Sequence, residues 1–163
     1  MRIRHLAIAA VAVTASGVSA HAQVTEPRET IAYDGAKQIV DTCMTMAHAK
    51  HWPIAIWVLD LAGQPVYFAS LGASEVGVTT AKFKAETALR TGLPSEQRAQ
   101  SVATPVGQTV TEKIGLFPVA GGIPLMKDGK LIGSVGAGGG RPENGQSVDQ
   151  ICAQAGVDAV FKK

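Results

Sequence analysis

The sequence has little charge, few aromatic residues, no cluster of basic residues and no long hydrophobic run. Only 17% of its 163 residues are charged and 5% are aromatic, and its mean hydropathy is +0.15. This composition excludes a globally disordered chain. Its apolar runs are shorter than the about 20 residues that span a bilayer, so we expect no membrane anchor. Without a basic cluster, a surface that neutralises nucleic-acid phosphates is also excluded.

Several motifs of enzymes and cofactor-binding proteins are missing as well. The sequence has no G-x-S-x-G nucleophile elbow, no cysteine spacing typical of a zinc site, and no Cys-x-x-Cys-His for covalent heme attachment. A dinucleotide-binding G-x-G-x-x-G that begins at Gly136 fails, because Arg141 stands where the third glycine is required. We therefore predict no nucleotide, no metal ligand set and no covalently attached heme.

The first 22 residues have the pattern of a secretory signal peptide. A basic start with Arg2 and Arg4 precedes the apolar run 6–13, and an Ala-His-Ala cleavage site ends at Ala22. We expect cleavage near Ala22 and a periplasmic or secreted protein. Without Arg2 and Arg4, thirteen basic and thirteen acidic residues remain, so the mature chain has no formal net charge.

The remaining chain predicts a flexible lead-in over 23–29 and a single α+β domain over 30–163. Apolar residues at helical spacing predict a helix over 31–51 with Thr30 as its N-cap. Further predicted helices cover 79–90, 95–98, 105–114 and 147–155, and predicted hairpins join 54–59 to 66–71 and 123–126 to 131–137. The order helix, hairpin, helices, hairpin, helix indicates an antiparallel sheet of about five strands flanked by helices.

A glycine-rich tract over 136–140 allows another group to approach the backbone closely, because glycine has no Cβ. Either its amides and Arg141 hold a small anion, or a strand and a helix cross there at short range. If the protein is an enzyme, Glu143 or Asp60 is the candidate acid–base group and Arg141 the clamp for a substrate carboxylate. Asp60 also has a structural interpretation, as the residue that stabilises its turn.

Cys43 and Cys152 both remain after cleavage at Ala22. An even number of cysteines in an exported chain permits a disulfide. Two buried free thiols are the alternative.

Six segments, in this order along the chain, resemble the GlcG/HbpS-like heme-binding family, which is related to the C-terminal domain of the PduO corrinoid enzymes. The segments are 54–63 (IAIWVLDLAG), 66–73 (VYFASLGA), 81–88 (AKFKAETA), 122–133 (GIPLMKDGKLIG), 136–143 (GAGGGRPE) and 155–157 (AGV). The resemblance implies a small sheet flanked by helices, in a profilin-like layout, that assembles into homodimers or rings of dimers. Small size, high glycine and alanine content and zero net charge also favour association.

The resemblance further implies an exported binding protein for heme or a similar apolar ligand that carries acids. Heme-binding relatives hold the ligand near subunit contacts, beside a Lys-Ala-x-Thr-Ala helix that corresponds here to 84–88. No histidine lies in the middle helices or in the glycine tract, so the commonest protein ligand of heme iron is missing there. The expected contact residues are Tyr67, Phe83 and Phe117 for apolar area, Lys84, Arg90 and Arg141 for carboxylates, Met126 as a soft axial ligand, and Thr87, Gly138 and Gly139 from the two motifs.

Two other functions stay open at this point. One is a cofactor-independent enzyme that acts on a small oxygenated or aromatic acid, although we favour a binding protein over an enzyme. The other is an oligomeric interaction subunit without a ligand.

The resemblance also bears on the cysteines. Family members pack their first and last helices side by side on one face of the sheet. Such packing brings the Cα atoms of Cys43 and Cys152 within the roughly 4.4–6.8 Å that a disulfide requires, so we predict this bond.

Overall fold

The computed structural model describes residues 27–162. The predicted signal peptide and most of the predicted lead-in lie outside the described residues, so both stay predictions. Within 27–162, no helix is both long enough and apolar enough to cross a membrane.

The described chain contains four strands, four α-helices and one 3-10 helix. Their bounds are α1 Tyr33–Lys50, β1 Ile54–Leu59, β2 Pro65–Leu71, α2 Glu75–Thr91, the 3-10 helix Ser95–Val102, α3 Pro105–Lys113, β3 Gly122–Lys127, β4 Lys130–Gly138 and α4 Val148–Phe161. This order confirms the predicted helix, hairpin, helices, hairpin, helix arrangement.

The strands form one antiparallel sheet in the order β2-β1-β4-β3, which confirms the α+β class. Each hairpin contributes one central strand and one edge strand. The sheet has four strands within the described residues, where about five were expected. Segment 117–120 is apolar but forms no strand, because the Val119 amide bonds to the Phe117 carbonyl in a tight turn instead of joining β3.

Two helices begin at other residues than the sequence indicated. Thr30 does not cap α1: its hydroxyl donates to the Ile132 carbonyl and accepts from the Leu61 amide, so it attaches the incoming chain to β4 and to the β1–β2 turn. Helix α2 begins at Glu75, one turn before the predicted start, because the Ser74 hydroxyl accepts from the Gly77 amide at 3.2 Å and caps it.

The two faces of the sheet are covered differently. Alternate residues of β1 point to opposite faces: Ile56 and Val58 pack into the aliphatic core with α1 and α4, whereas Trp57 points to α2 and donates to the Val78 carbonyl at 3.2 Å. Helix α2 covers the second face over β1, β4 and β3, and the 3-10 helix adds a contact to β3 through Ser95.

A disulfide joins the two helices of the first face. Cys43 of α1 and Cys152 of α4 are bonded, with 4.8 Å between their Cα atoms, and both are fully buried. The predicted pairing is confirmed, and the alternative of two free thiols is excluded.

We predict that the double variant Cys43→Ala/Cys152→Ala has a free energy of unfolding about 4–5 kcal/mol below that of the wild type. The disulfide closes a loop with a sequence separation of 109 residues, and loop-closure entropy of the unfolded chain gives this magnitude. Urea unfolding of both proteins, with and without reductant, measures it. Reductant should destabilise only the wild type, and two alkylated cysteines in unreduced wild type would contradict the bond.

Candidate functional site

Helix α2 lies directly on a stripe of glycines in β3 and β4. A Cβ atom built on Gly136 would lie 2.2 Å from the Ala81 carbonyl oxygen, and one on Gly122 would lie 2.2 Å from that of Lys84. Real Cβ atoms essentially never approach so closely, so these positions must lack a side chain. Of the two interpretations of the glycine tract, the structure shows the close crossing of strand and helix.

The close crossing buries an ion pair beneath α2. The Lys84 ammonium lies 2.5 Å from Asp149 Oδ2, and Asp149 Oδ1 accepts from the Gly140 amide at 2.8 Å. Lys84 is only 3% exposed and Asp149 only 7%. These contacts join α2, the first turn of α4 and the end of β4, because a buried charge needs a partner.

A cleft of about 300 Å³ opens beside this pair. Its floor is polar, with the ion pair and the backbone of Gly139 and Gly140, and its outer wall is apolar, with Val76, Phe117 and Val119. The complete lining is Ser74, Val76, Gly77, Thr80, Lys84, Phe117, Val119, Gly139, Gly140 and Asp149.

Three residues expected at the site from the sequence lie together in this cleft: Lys84, Phe117 and Gly139. Thr87 is fully buried one turn further along α2 and positions the wall, since its hydroxyl accepts from the Phe117 amide at 2.7 Å. Phe83 contacts the same wall, with 6.2 Å between its ring centroid and that of Phe117.

Three further candidates are not among the residues that line the cleft. Gly138 is covered by α2, because a Cβ atom there would lie 2.5 Å from the Gly77 carbonyl. Arg90 donates to the Gly115 carbonyl at 3.2 Å and holds the chain leading to Phe117. Arg141 directly follows the lining residue Gly140, and its side chain is exposed.

Tyr67 and Met126 are not part of this cleft. Tyr67 lies on the opposite face of the sheet, where its ring meets that of Tyr33 edge-on at 5.5 Å. Tyr67 therefore does not lie with Phe83 and Phe117, because its side chain follows the alternation of its strand and points to α1. Met126, on edge strand β3, is 42% exposed and lines no part of the cleft.

The two candidate acid–base residues are separated and already bonded. Asp60 Oδ1 accepts from the amides of Ala62 and Gln64, both at 2.8 Å, and so stabilises the β1–β2 turn. Glu143 Oε1 accepts from the indole Nε1 of Trp52 at 2.7 Å. Asp60 and Trp52 flank opposite ends of β1, and a strand of this length spans about 20 Å. The two carboxylates cannot act on one small substrate.

Asp149 is the site residue that sequence reasoning missed. It follows the capping residue Ser147 in the first turn of α4, where an acidic residue is typical of any helix start. Lys84 is 65 residues away in the sequence. No local pattern connects the two.

A larger surface hollow, about 700 Å³, lies along the outer side of α1. It contains no buried polar residue. Its ion pair is exposed, and the hydrogen bond to Asp41 raises the pKa of Lys37. Among the described residues, no group of three or more histidine, cysteine, aspartate or glutamate side chains could hold a metal ion. The cleft beside Lys84 is therefore the better candidate.

A sequence model described as "Haem degrading protein HbpS-like" matches residues 31–158. The chain belongs to the HbpS-like family. The resemblance found in the sequence is confirmed over nearly the whole described domain.

Several solved structures have the same fold as this chain. Streptomyces reticuli HbpS, as a double mutant, is 22% identical with a TM-score of 0.76, and the alignment covers 92% of this chain and 99% of that one. Klebsiella pneumoniae protein ORFY is 20% identical, with a TM-score of 0.74 and coverages of 86% and 97%. A PduOC:heme complex is 23% identical, with a TM-score of 0.71 and coverages of 81% and 96%. At these identities the structures establish the fold. No curated protein sequence gives a significant match.

We predict that Gly136→Ala lowers the free energy of unfolding by about 3 kcal/mol or more, because its methyl group would overlap the Ala81 carbonyl at the helix crossing. Gly145→Ala is the matched control. Nothing lies within 4 Å of a Cβ there, but φ is +76°, so we expect a loss of about 1 kcal/mol. Urea unfolding compares the two variants, and equal losses would contradict a tight crossing.

Proposed function

We propose that this HbpS-like protein is exported and binds heme, or a similar flat apolar ligand that carries acids, in the cleft beside Lys84. The observation that carries the proposal is the combination of an apolar wall and a buried charged floor in one cleft. Small-molecule sites usually combine apolar walls with a few polar groups in this way. A protein of the same fold forms the PduOC:heme complex, which supports heme as the first ligand to test.

The residues of the cleft suit the ring of heme better than its iron. Val76, Phe117 and Val119 offer a surface for an apolar macrocycle. No histidine, cysteine, methionine or tyrosine lines the cleft, and these are the usual axial ligands of heme iron. The proposal is therefore that the ring and the acids of the ligand provide the binding energy.

Arg141 is the cation best placed to meet the acids of a ligand. Lys84 is already paired with Asp149, and Arg90 donates to a backbone carbonyl. Arg141 follows the lining residue Gly140, is exposed, and forms no ion pair within residues 27–162. Arginine binds carboxylates in a bidentate manner, which suits this role.

A second copy of the chain would complete the site. The cleft volume of about 300 Å³ is at the lower end for small-molecule sites, so one subunit covers only part of a ligand as large as heme. The exposed apolar residues Val76, Phe83 and Val119 surround the cleft and are 67%, 44% and 47% exposed. Such a patch favours association, so we propose a homo-oligomer with contacts near the cleft.

Acid–base catalysis by Glu143 or Asp60 receives no support from the site. Neither residue lines the cleft, and each is bonded elsewhere. We therefore keep ligand binding as the proposal.

We predict that the mature protein binds hemin with a saturable shift of the Soret band, and that Val76→Asp weakens this binding at least tenfold. The variant places a charge on the apolar wall, where a bound ring would strip it of water. Val106→Asp on α3 is the matched control, because Val106 is similarly exposed at 74% and does not line the cleft.

Hemin titration followed by absorbance measures both variants. If the wild type shows no saturable shift at stoichiometric hemin, heme is not the ligand. If Val76→Asp and Val106→Asp weaken binding equally, the ligand binds elsewhere.

We also predict that the mature protein is at least a dimer at micromolar concentration, and that Phe83→Asp shifts it toward monomers. The charge would be buried in the proposed contact. Tyr33→Asp serves as the control, since this exposed aromatic residue lies on α1, on the other side of the sheet. Light scattering gives the mass, and a wild-type mass near one chain would contradict the proposal.

A further inference from the structure

We propose that Lys84 and the Gly140 amide form a carboxylate-binding cradle that the chain fills with its own Asp149, and that Asp149 thereby makes an acid-bearing ligand enter with its acids toward Arg141. Asp149 is then a specificity-determining residue.

The cradle holds both oxygens of the Asp149 carboxylate. Oδ2 pairs with the Lys84 ammonium at 2.5 Å and Oδ1 accepts from the Gly140 amide at 2.8 Å. Hydrogen bonds to a charged acceptor are the stronger kind, and burial of both side chains strengthens them further. An internal carboxylate therefore occupies the amide at the end of the glycine tract.

The filled cradle determines which end of a ligand reaches the floor. The charges of Lys84 and Asp149 cancel, so the floor offers no net attraction to an acid. A ligand carboxylate placed next to Lys84 would lie beside the Asp149 carboxylate, and like charges a few ångströms apart repel. The ammonium has three N–H donors, and a neutral ligand oxygen can accept from them without this repulsion. The acids are left to Arg141, next to the lining residue Gly140.

The orientation of the ligand rests on the proposed function, whereas the cradle does not. Two experiments therefore separate the claims.

The first experiment tests the cradle without any porphyrin. Asp149→Ala removes the internal carboxylate and leaves space for a small acid, so sodium acetate should raise the melting temperature of this variant by about 4 °C relative to sodium chloride of equal ionic strength. The wild type should show no difference between the salts. The double variant Lys84→Met/Asp149→Ala should show none either, because it lacks the cation.

Specific rescue of Asp149→Ala by acetate supports the cradle. Equal effects of acetate on the wild type and Asp149→Ala, or rescue that persists in the double variant, would overturn it.

The second experiment tests the orientation with protoporphyrin IX and its dimethyl ester, which contain no iron. We expect the wild type to bind the acid about fivefold more tightly than the ester, as a charge pair near the surface allows. Arg141→Gln should remove this preference and Arg141→Lys should largely keep it. Lys84→Met/Asp149→Leu replaces the buried pair by apolar groups of similar size and should also keep the preference.

Asp149→Asn should increase the preference for the acid, because Lys84 is then no longer neutralised. If Arg141→Gln keeps the preference and Lys84→Met/Asp149→Leu loses it, the acids bind at the floor and the orientation is wrong. If the wild type binds neither porphyrin, the proposed function fails and the orientation fails with it, while the acetate experiment still decides the cradle.

Discussion

The contact between the backbone of α2 and the glycines of β3 and β4 is the constraint on which the other features of the domain depend. At Gly136 and Gly122 the helix carbonyls occupy the space that a Cβ atom would need. This close approach buries the Lys84 side chain between α2 and the sheet, where it pairs with Asp149 near the end of β4. A larger residue at either glycine would lift the helix, open the ion pair and change the cleft.

One face of the sheet carries the aliphatic core and the disulfide, and the other carries the cleft. On the face of α1 and α4, large aliphatic residues such as Ile39 and Ile56 are completely buried, and the Cys43–Cys152 disulfide joins the helices. On the face of α2, small residues such as Ala81 and Ala85 replace the large ones. The aliphatic core therefore lies on the face of α1 and α4, and the charged pair lies on the face of α2.

The internal carboxylate gives the cleft a particular electrostatic character. From the sequence, Lys84 is expected to bind a carboxylate of the ligand. Because Asp149 neutralises it, the floor is polar without being positive. Arg141, the exposed residue after the lining residue Gly140, forms no ion pair within residues 27–162. At the glycine tract, strand and helix approach closely, and the Gly140 amide bonds to the internal carboxylate of Asp149.

What the sequence determined by itself is local or carried by family resemblance. Apolar spacing, Pro and Gly positions and the Asp60 turn were enough for the order of helices and strands, because these signals act within a few residues. The ordered motifs were enough for the family and, through its helix packing, for the Cys43–Cys152 pair. The tertiary structure alone decided that Thr30 bonds to Leu61 and Ile132, that Tyr67 faces away from Phe83, and that Lys84 pairs with Asp149. Those contacts join residues that are 31 or more positions apart or depend on strand alternation. The Lys84–Asp149 pair in particular exists because α2 lies at backbone contact on the glycine stripe, a distance that no periodicity encodes.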